Sequence, residues 1–169
     1  MEGLGKLRPV FKEGGTVTAG NSAGINDAAA AVVVMSAERA AAEGLTPRLR
    51  WVGRGVSGVD PSIMGIGPVP STRKVLEKTG MSIDDLDQIE LNEAFASQAL
   101  YVMRELGMDI EKVNVNGSGI SLGHPVGATG AIMTIKLMEE MERRDQEHGL
   151  VTMCVGGGQG VSTIFSRAS

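Results

Sequence analysis

A single cysteine, Cys154, stands among 169 residues, so no intrachain disulfide can form and a reducing, cytoplasmic setting is expected. Aromatic residues make up only 3% of the chain and the formal charge is −4. That composition supplies neither a base-stacking surface nor a basic field, which argues against nucleic acid as a partner. The longest apolar run, Ala28 to Met35, falls far short of the roughly 20 residues a membrane-spanning helix needs. No charged stretch leads into an apolar core after Met1, so neither a membrane nor a secretory role is expected. No two histidines or cysteines have metal-ligand spacing, and no glycine-rich stretch ends in Gly-Lys-Ser or Gly-Lys-Thr. A metal centre and a phosphate loop both drop out. The run Gly156 to Gly160 leads into a β-rich segment rather than a helix, which disfavours a dinucleotide site as well.

What the chain does have is glycine, 24 residues of it without a collagen-like period, the mark of an ordered domain with many special turns. Its length suits one domain able to bury about two-thirds of the surface its unfolded form exposes. Residues 1–15, glycine-rich and charged, read as a linker or the end of a loop region, and residues 16–169 as the domain. Thr16 to Ala19 is a β-type run. The alanine- and valine-rich stretch from Asn26 to Ala42, closed by Gly44, reads as a largely buried helix. Leu49 to Val59, interrupted by three glycines, suits a bent strand. Ser71 to Thr79 is a helix closed by Gly80, and Ile89 to Leu91 a short buried strand. Phe95, Ala99, Val102, Met103 and Leu106 share one helical face ending at Gly107. Val113 to Val115 is a short extended segment, and Ala131 to Met141 again keeps helical spacing, with Arg143, Arg144 and His148 assigned to its last turns. Leu150 to Val155 and Val161 to Phe165 form an antiparallel pair around the glycine run. The class is α/β with a mixed sheet.

Three residues stand out as bearers of chemistry. His124 lies in the loop Asn116 to Gly130, whose glycines permit close backbone approach and whose Pro125 fixes the turn after the imidazole. The loop suits aiming a side chain, while a buried histidine satisfied by hydrogen bonds is the other reading. His148, near a charged helix end, reads as surface. Cys154 ends an apolar strand just before a glycine run, where a thiol can face a cleft and backbone N–H groups can meet an anion. An isolated cysteine is more often a small core residue, and a nearby histidine is what would change that. Asn92, with Glu93, joins a buried strand to a helix at the strand's carboxyl end, a usual place for a site in α/β folds. Local pattern alone favours helix capping for it.

Taken in order, Thr16-Val-Thr-Ala-Gly-Asn-Ser-Ala-Gly-Ile-Asn-Asp27, Gly65-Ile-Gly-Pro-Val-Pro70, Asn92-Glu-Ala-Phe-Ala96, Gly123-His-Pro125 and Cys154-Val-Gly-Gly-Gly-Gln-Gly160 resemble the thiolase family, in its C-terminal half. The resemblance implies a five-stranded mixed sheet with the last strand antiparallel and helices on both faces. It implies acyl transfer between acetyl-CoA and acyl-CoA, by Claisen condensation or thiolysis of a 3-ketoacyl-CoA, with coenzyme A thioesters as substrates and no further cofactor. The nucleophilic cysteine would come from an N-terminal half, supplied as a partner in a homo- or hetero-oligomer or as part of a longer chain. This chain by itself would then be inactive.

By the same resemblance, His124 would activate that cysteine and help form an oxyanion hole whose water Asn92 holds. Cys154 would move the proton in the carbon–carbon bond step, and the Gly156 N–H would serve a second oxyanion hole. Ser22, Ala23, Gly24 and Phe95 would contact substrate. Many members carry a serine where this chain has Ala23, with Ser22 beside it, and the Asn116-Gly-Ser-Gly-Ile-Ser-Leu stretch departs from a commoner Gly-Gly-Ala version. A thioester acidifies its α-hydrogens only modestly, so an enolate needs donors aimed at its oxygen. A cysteine can serve as base because its unperturbed pKa of about 8.5 is readily lowered. A non-catalytic assembly or binding module of the same shape is the alternative. A decarboxylating relative is disfavoured, since those typically carry a second histidine in place of the asparagine motif.

Overall fold

The structure, a computed structural model, describes residues 2–168. Six α-helices are seen among them: α1 (Glu2–Gly5), α2 (Ala37–Ala42), α3 (Pro68–Thr79), α4 (Ala96–Leu106), α5 (Gly119–Leu122) and α6 (Thr129–Arg143). Four strands, β1 (Leu49–Gly58), β2 (Gln88–Leu91), β3 (His148–Val155) and β4 (Gln159–Arg167), form one sheet in the order β1-β4-β3-β2. β2 and β3 run parallel, and β4 is antiparallel to both β3 and β1. Helices cover both faces. Val69, Val75, Ala99 and Val102 of α3 and α4 pack with Ile89, Leu91, Leu150 and Ile164 on one side. Met133, Leu137 and Met141 of α6 pack with Val151 on the other.

The helix signals act as expected. Gly80 and Gly107 terminate α3 and α4 in left-handed conformations, their N–H groups reaching back to the last carbonyls. β1 is irregular between Trp51 and Gly53, the bend its glycines suggested. The loop between β3 and β4 is the glycine turn.

Four expectations need correction. The sheet has four strands among the described residues, not five. Val113 makes only an isolated parallel bridge with Ile89, because Asn114 turns left-handed at φ 50° and ends the extended run. Its side-chain amide then takes the place of a ladder, bonding both Leu91 N and Leu91 O at 2.8 Å. Thr16 to Ala19 likewise yields a single bridge, Pro9 with Thr18, rather than a strand. Residues 28–36 are not helical, and the helix is only Ala37–Ala42, capped by Ser36. Three consecutive valines resist helix through their restricted χ1, and a short apolar run has no period to separate strand from helix. Val33 and Val34 are 87% and 86% exposed, so this apolar segment forms no ladder among the described residues. His148, finally, opens β3 instead of closing α6.

One close approach ties the Gly65–Pro70 segment to the sheet. A Cβ on Gly160 would lie 1.9 Å from the Gly67 carbonyl oxygen, an impossible contact unless the backbones part. Gly160→Ala should therefore cost about 1–3 kcal/mol, read as a lowered urea midpoint. An unchanged midpoint would mean that the two segments separate freely.

Candidate functional site

The carboxyl end of β2 gathers most of the singled-out residues. Asn92 continues that strand, its N–H donating to Thr152 O of β3 at 3.0 Å, and it is fully buried. Its Nδ2 lies 3.4 Å from Nε2 of His124, while its Oδ1 has no protein partner. Asn92 thus caps no helix: α4 begins after Phe95. Its free acceptor is a ready seat for an ordered water.

His124 is held from several sides. Its backbone N–H donates to Gly24 O at 3.0 Å and lies 3.2 Å from Asn26 Oδ1. A Cβ on the preceding Gly123 would sit 2.4 Å from that same amide oxygen, and Gly123 has φ 103°, so both space and backbone demand glycine there. Nδ1 contacts Thr129 Oγ1 at 2.7 Å. Burial lowers the imidazole pKa below its ordinary value, so the ring is neutral at neutral pH.

The predicted substrate segment lies between these groups. Ser22 bridges Phe95, Ala23 N–H donates to Ala94 O at 3.0 Å, and Ile25 bridges His124. Phe95 also lines a groove of about 330 Å³ with Ile63, Met64, Gly65, Ile66 and Tyr101. The motifs at 21–26, 63–66, 92–96 and 123–125, far apart in sequence, therefore meet at one end of the sheet.

Cys154 and Gly156 occupy the neighbouring strand end. Leu91 pairs with Thr152, so β3 runs two residues past that point to Cys154, and Gly156 begins the turn back to β4. Cys154 is 6% exposed, and burial pushes its thiol above the ordinary range against the smaller pull of a backbone hydrogen bond. The expected lowering is not present in this state, because the thiol is desolvated and the imidazole carries no charge.

The loop that carries His124 has supports that motif reading did not single out. The Glu93 carboxylate accepts from Asn114 Nδ2 at 3.2 Å and from Ile120 N–H at 3.3 Å. Ser118 Oγ donates to Leu91 O at 3.0 Å. Lys136 of α6 pairs with the fully buried Glu90 at 2.6 Å and also donates to Gly117 O. Among the described residues no group of three or more His, Cys, Asp or Glu side chains could hold a metal ion. No described helix is long and apolar enough to cross a membrane.

The α/β fold is that of the thiolases, and the family comparisons agree. Residues 45–167 match the family "Thiolase, C-terminal domain", and residues 1–38 match "Thiolase, N-terminal domain". The chain belongs to the thiolase family. It is 58% identical over 168 residues to the beta-ketothiolase BktB of Cupriavidus necator, covering 99% of this chain and 43% of that protein. It is 53% identical to the acetyl-CoA acetyltransferase of Escherichia coli, covering 98% and 42%. The crystal structure of the Bacillus anthracis acetyl-CoA acetyltransferase superposes with a TM-score of 0.95 at 54% identity, over 98% of this chain and 42% of that one. Human mitochondrial 3-ketoacyl-CoA thiolase in complex with CoA gives 0.91 at 47% identity, over 98% and 42%. The chain thus spans less than half the length of the relatives it matches.

Proposed function

We propose that this chain carries the acid/base half of a thiolase site, transferring acyl groups between acetyl-CoA and acyl-CoA, and that an N-terminal half supplies the nucleophilic cysteine. The observation that carries this reading is the meeting of Asn92 and His124 at 3.4 Å, with Ser22 to Gly24 and Phe95 around them. In this mechanism the neutral imidazole of His124 takes the proton of the incoming cysteine through Nε2. The imidazolium so formed then offers Nε2–H, with a water on Asn92, to the thioester oxygen as negative charge develops there.

Cys154 handles the second proton. As a buried thiol it can deliver its proton to the departing enolate carbon in cleavage, and in condensation the resulting thiolate takes one from the α-carbon of acetyl-CoA. The Gly156 N–H faces the second oxyanion. The pantetheine arm would run along Ser22 to Gly24 and past Phe95.

Residues 28–36 fit the same scheme. A non-helical apolar run with Val33 and Val34 almost fully exposed suits a strand that pairs in a partner sheet, and it lies in the part that matches the N-terminal family. We place its partner in the N-terminal half. The test is reconstitution: the chain alone should not cleave acetoacetyl-CoA, and mixing it with a purified N-terminal half should restore thiolysis. A folded complex without activity would count against the enzyme reading and favour an assembly module.

A further inference from the structure

We propose that the Thr129 hydroxyl is a positioning group that fixes His124 as the Nδ1–H tautomer, leaving Nε2 as a bare lone pair toward Asn92. Thr129, at the start of α6, is 4% exposed and belongs to none of the motifs that drew attention to the loop.

Three atoms lie in a row. His124 Nδ1 is 2.7 Å from Thr129 Oγ1, and Thr129 Oγ1 is 2.8 Å from Pro125 O. Each of these two short contacts needs a hydrogen between its atoms. The carbonyl has none to give and the hydroxyl has one, so the other comes from Nδ1. Were the hydroxyl to point at the ring instead, the Oγ1–O contact would set two oxygen lone pairs against each other. Nor can the carbonyl swing away, because the N–H groups of Ala128 and Thr129 hold Pro125 O at 2.8 and 2.9 Å.

The far side of the ring agrees. A bare Nε2 accepts, and the atom facing it at 3.4 Å is the donor Nδ2 of the buried Asn92 amide. The neutral tautomer of a histidine is set by the bond its other nitrogen makes. Histidine free of such a partner favours Nε2–H, which would face Asn92 donor to donor and could not receive a proton there. Thr129 therefore selects the form that works as an acceptor at Nε2. The functional consequence rests on the acyl-transfer reading; the tautomer itself does not.

Nitrogen-15 NMR of the labelled chain reads the tautomer without turnover, and the sequence has only two histidines, His124 and His148, to resolve. At pH 8, above the lowered imidazole titration, His124 should show a protonated Nδ1 and an unprotonated Nε2. Thr129→Val should move it toward Nε2–H, and Thr129→Ser should keep the wild-type pattern. A wild-type His124 protonated at Nε2 overturns the proposal even if the valine variant fails to fold, as does a folded valine variant that keeps Nδ1–H. In the reconstituted enzyme, Thr129→Val should lower kcat by about 10²-fold with KM little changed, and Thr129→Ser should restore it. An active complex whose His124 carries Nε2–H sinks the tautomer assignment and leaves the acyl-transfer reading standing. An inactive complex with the expected spectra does the reverse.

Discussion

Replacing Cys154 by alanine in the reconstituted enzyme is expected to lower kcat for acetoacetyl-CoA thiolysis by about 10²–10⁴-fold, the range that a positioned proton carrier supplies. The scheme separates it from His124. His124 serves the attack of the incoming cysteine, so His124→Ala should abolish rapid acylation, whereas Cys154→Ala should still form the acyl-enzyme from an activated acyl thioester. A burst of released thiol in the cysteine variant and none in the histidine variant would show that division; equal bursts would remove it. The resting chain adds a second reading. Burial raises the Cys154 thiol and lowers the His124 imidazole, so the pair is neutral at pH 7 rather than a thiolate with an imidazolium. Alkylation of Cys154 by iodoacetamide should accordingly be slow at pH 7 and rise well into the alkaline range. Fast alkylation at pH 7 would mean that the thiol is not desolvated as the fold implies.

The sequence disclosed this site unevenly, for physical reasons. α4 was legible because Phe95, Ala99, Val102, Met103 and Leu106 repeat with the helical period and Gly107 stops them. Asn92, His124 and Cys154 were legible only as a set. Each has a bland local explanation, and only the order of the motifs weighs against it. Residues 28–36 were not legible because an apolar run carries no period to separate helix from other structure. The extended segment Val113 to Val115 failed as a strand on one residue, Asn114, whose side chain does the bonding that a backbone ladder would have done. Thr129 and Lys136 stayed hidden because their roles depend on what faces them across the fold. Neither a hydroxyl at the start of a helix nor a lysine at mid-helix is unusual until its partner is known.

Lys136→Met should destabilise the chain by about 3–5 kcal/mol at pH 8, the cost of leaving a buried carboxylate without its cation. Glu90 is fully buried on β2, its Oε1 has no partner, and Oε2 is held by Lys136 at 2.6 Å. Burial raises its pKa to about 7 from a model-peptide value of 4.5, against the opposing pull of Lys136; Glu140 and Glu93 push it up further. A raised pKa means that the folded chain holds the proton after the unfolded chain has released it. Glu90's contribution to stability is therefore full below about pH 4.5 and is lost as pH rises to about 7, a fall of about 3 kcal/mol across that window. Glu90→Gln should flatten this part of the pH dependence, seen as urea midpoints that differ less between pH 5 and pH 8 than those of the parent chain. Lys136→Met should deepen it, because the carboxyl escapes the loss by protonating and does so more easily at pH 5. A lysine variant within about 0.5 kcal/mol of the parent at pH 8 would show that the pair is solvated and bears no load. Lys136 also donates to Gly117 O, where the His124 loop begins, so the same variant should loosen that loop. In the assembled enzyme its activity should fall more than its residual stability accounts for, since the imidazole must be held within tenths of an ångström of its target to take a proton.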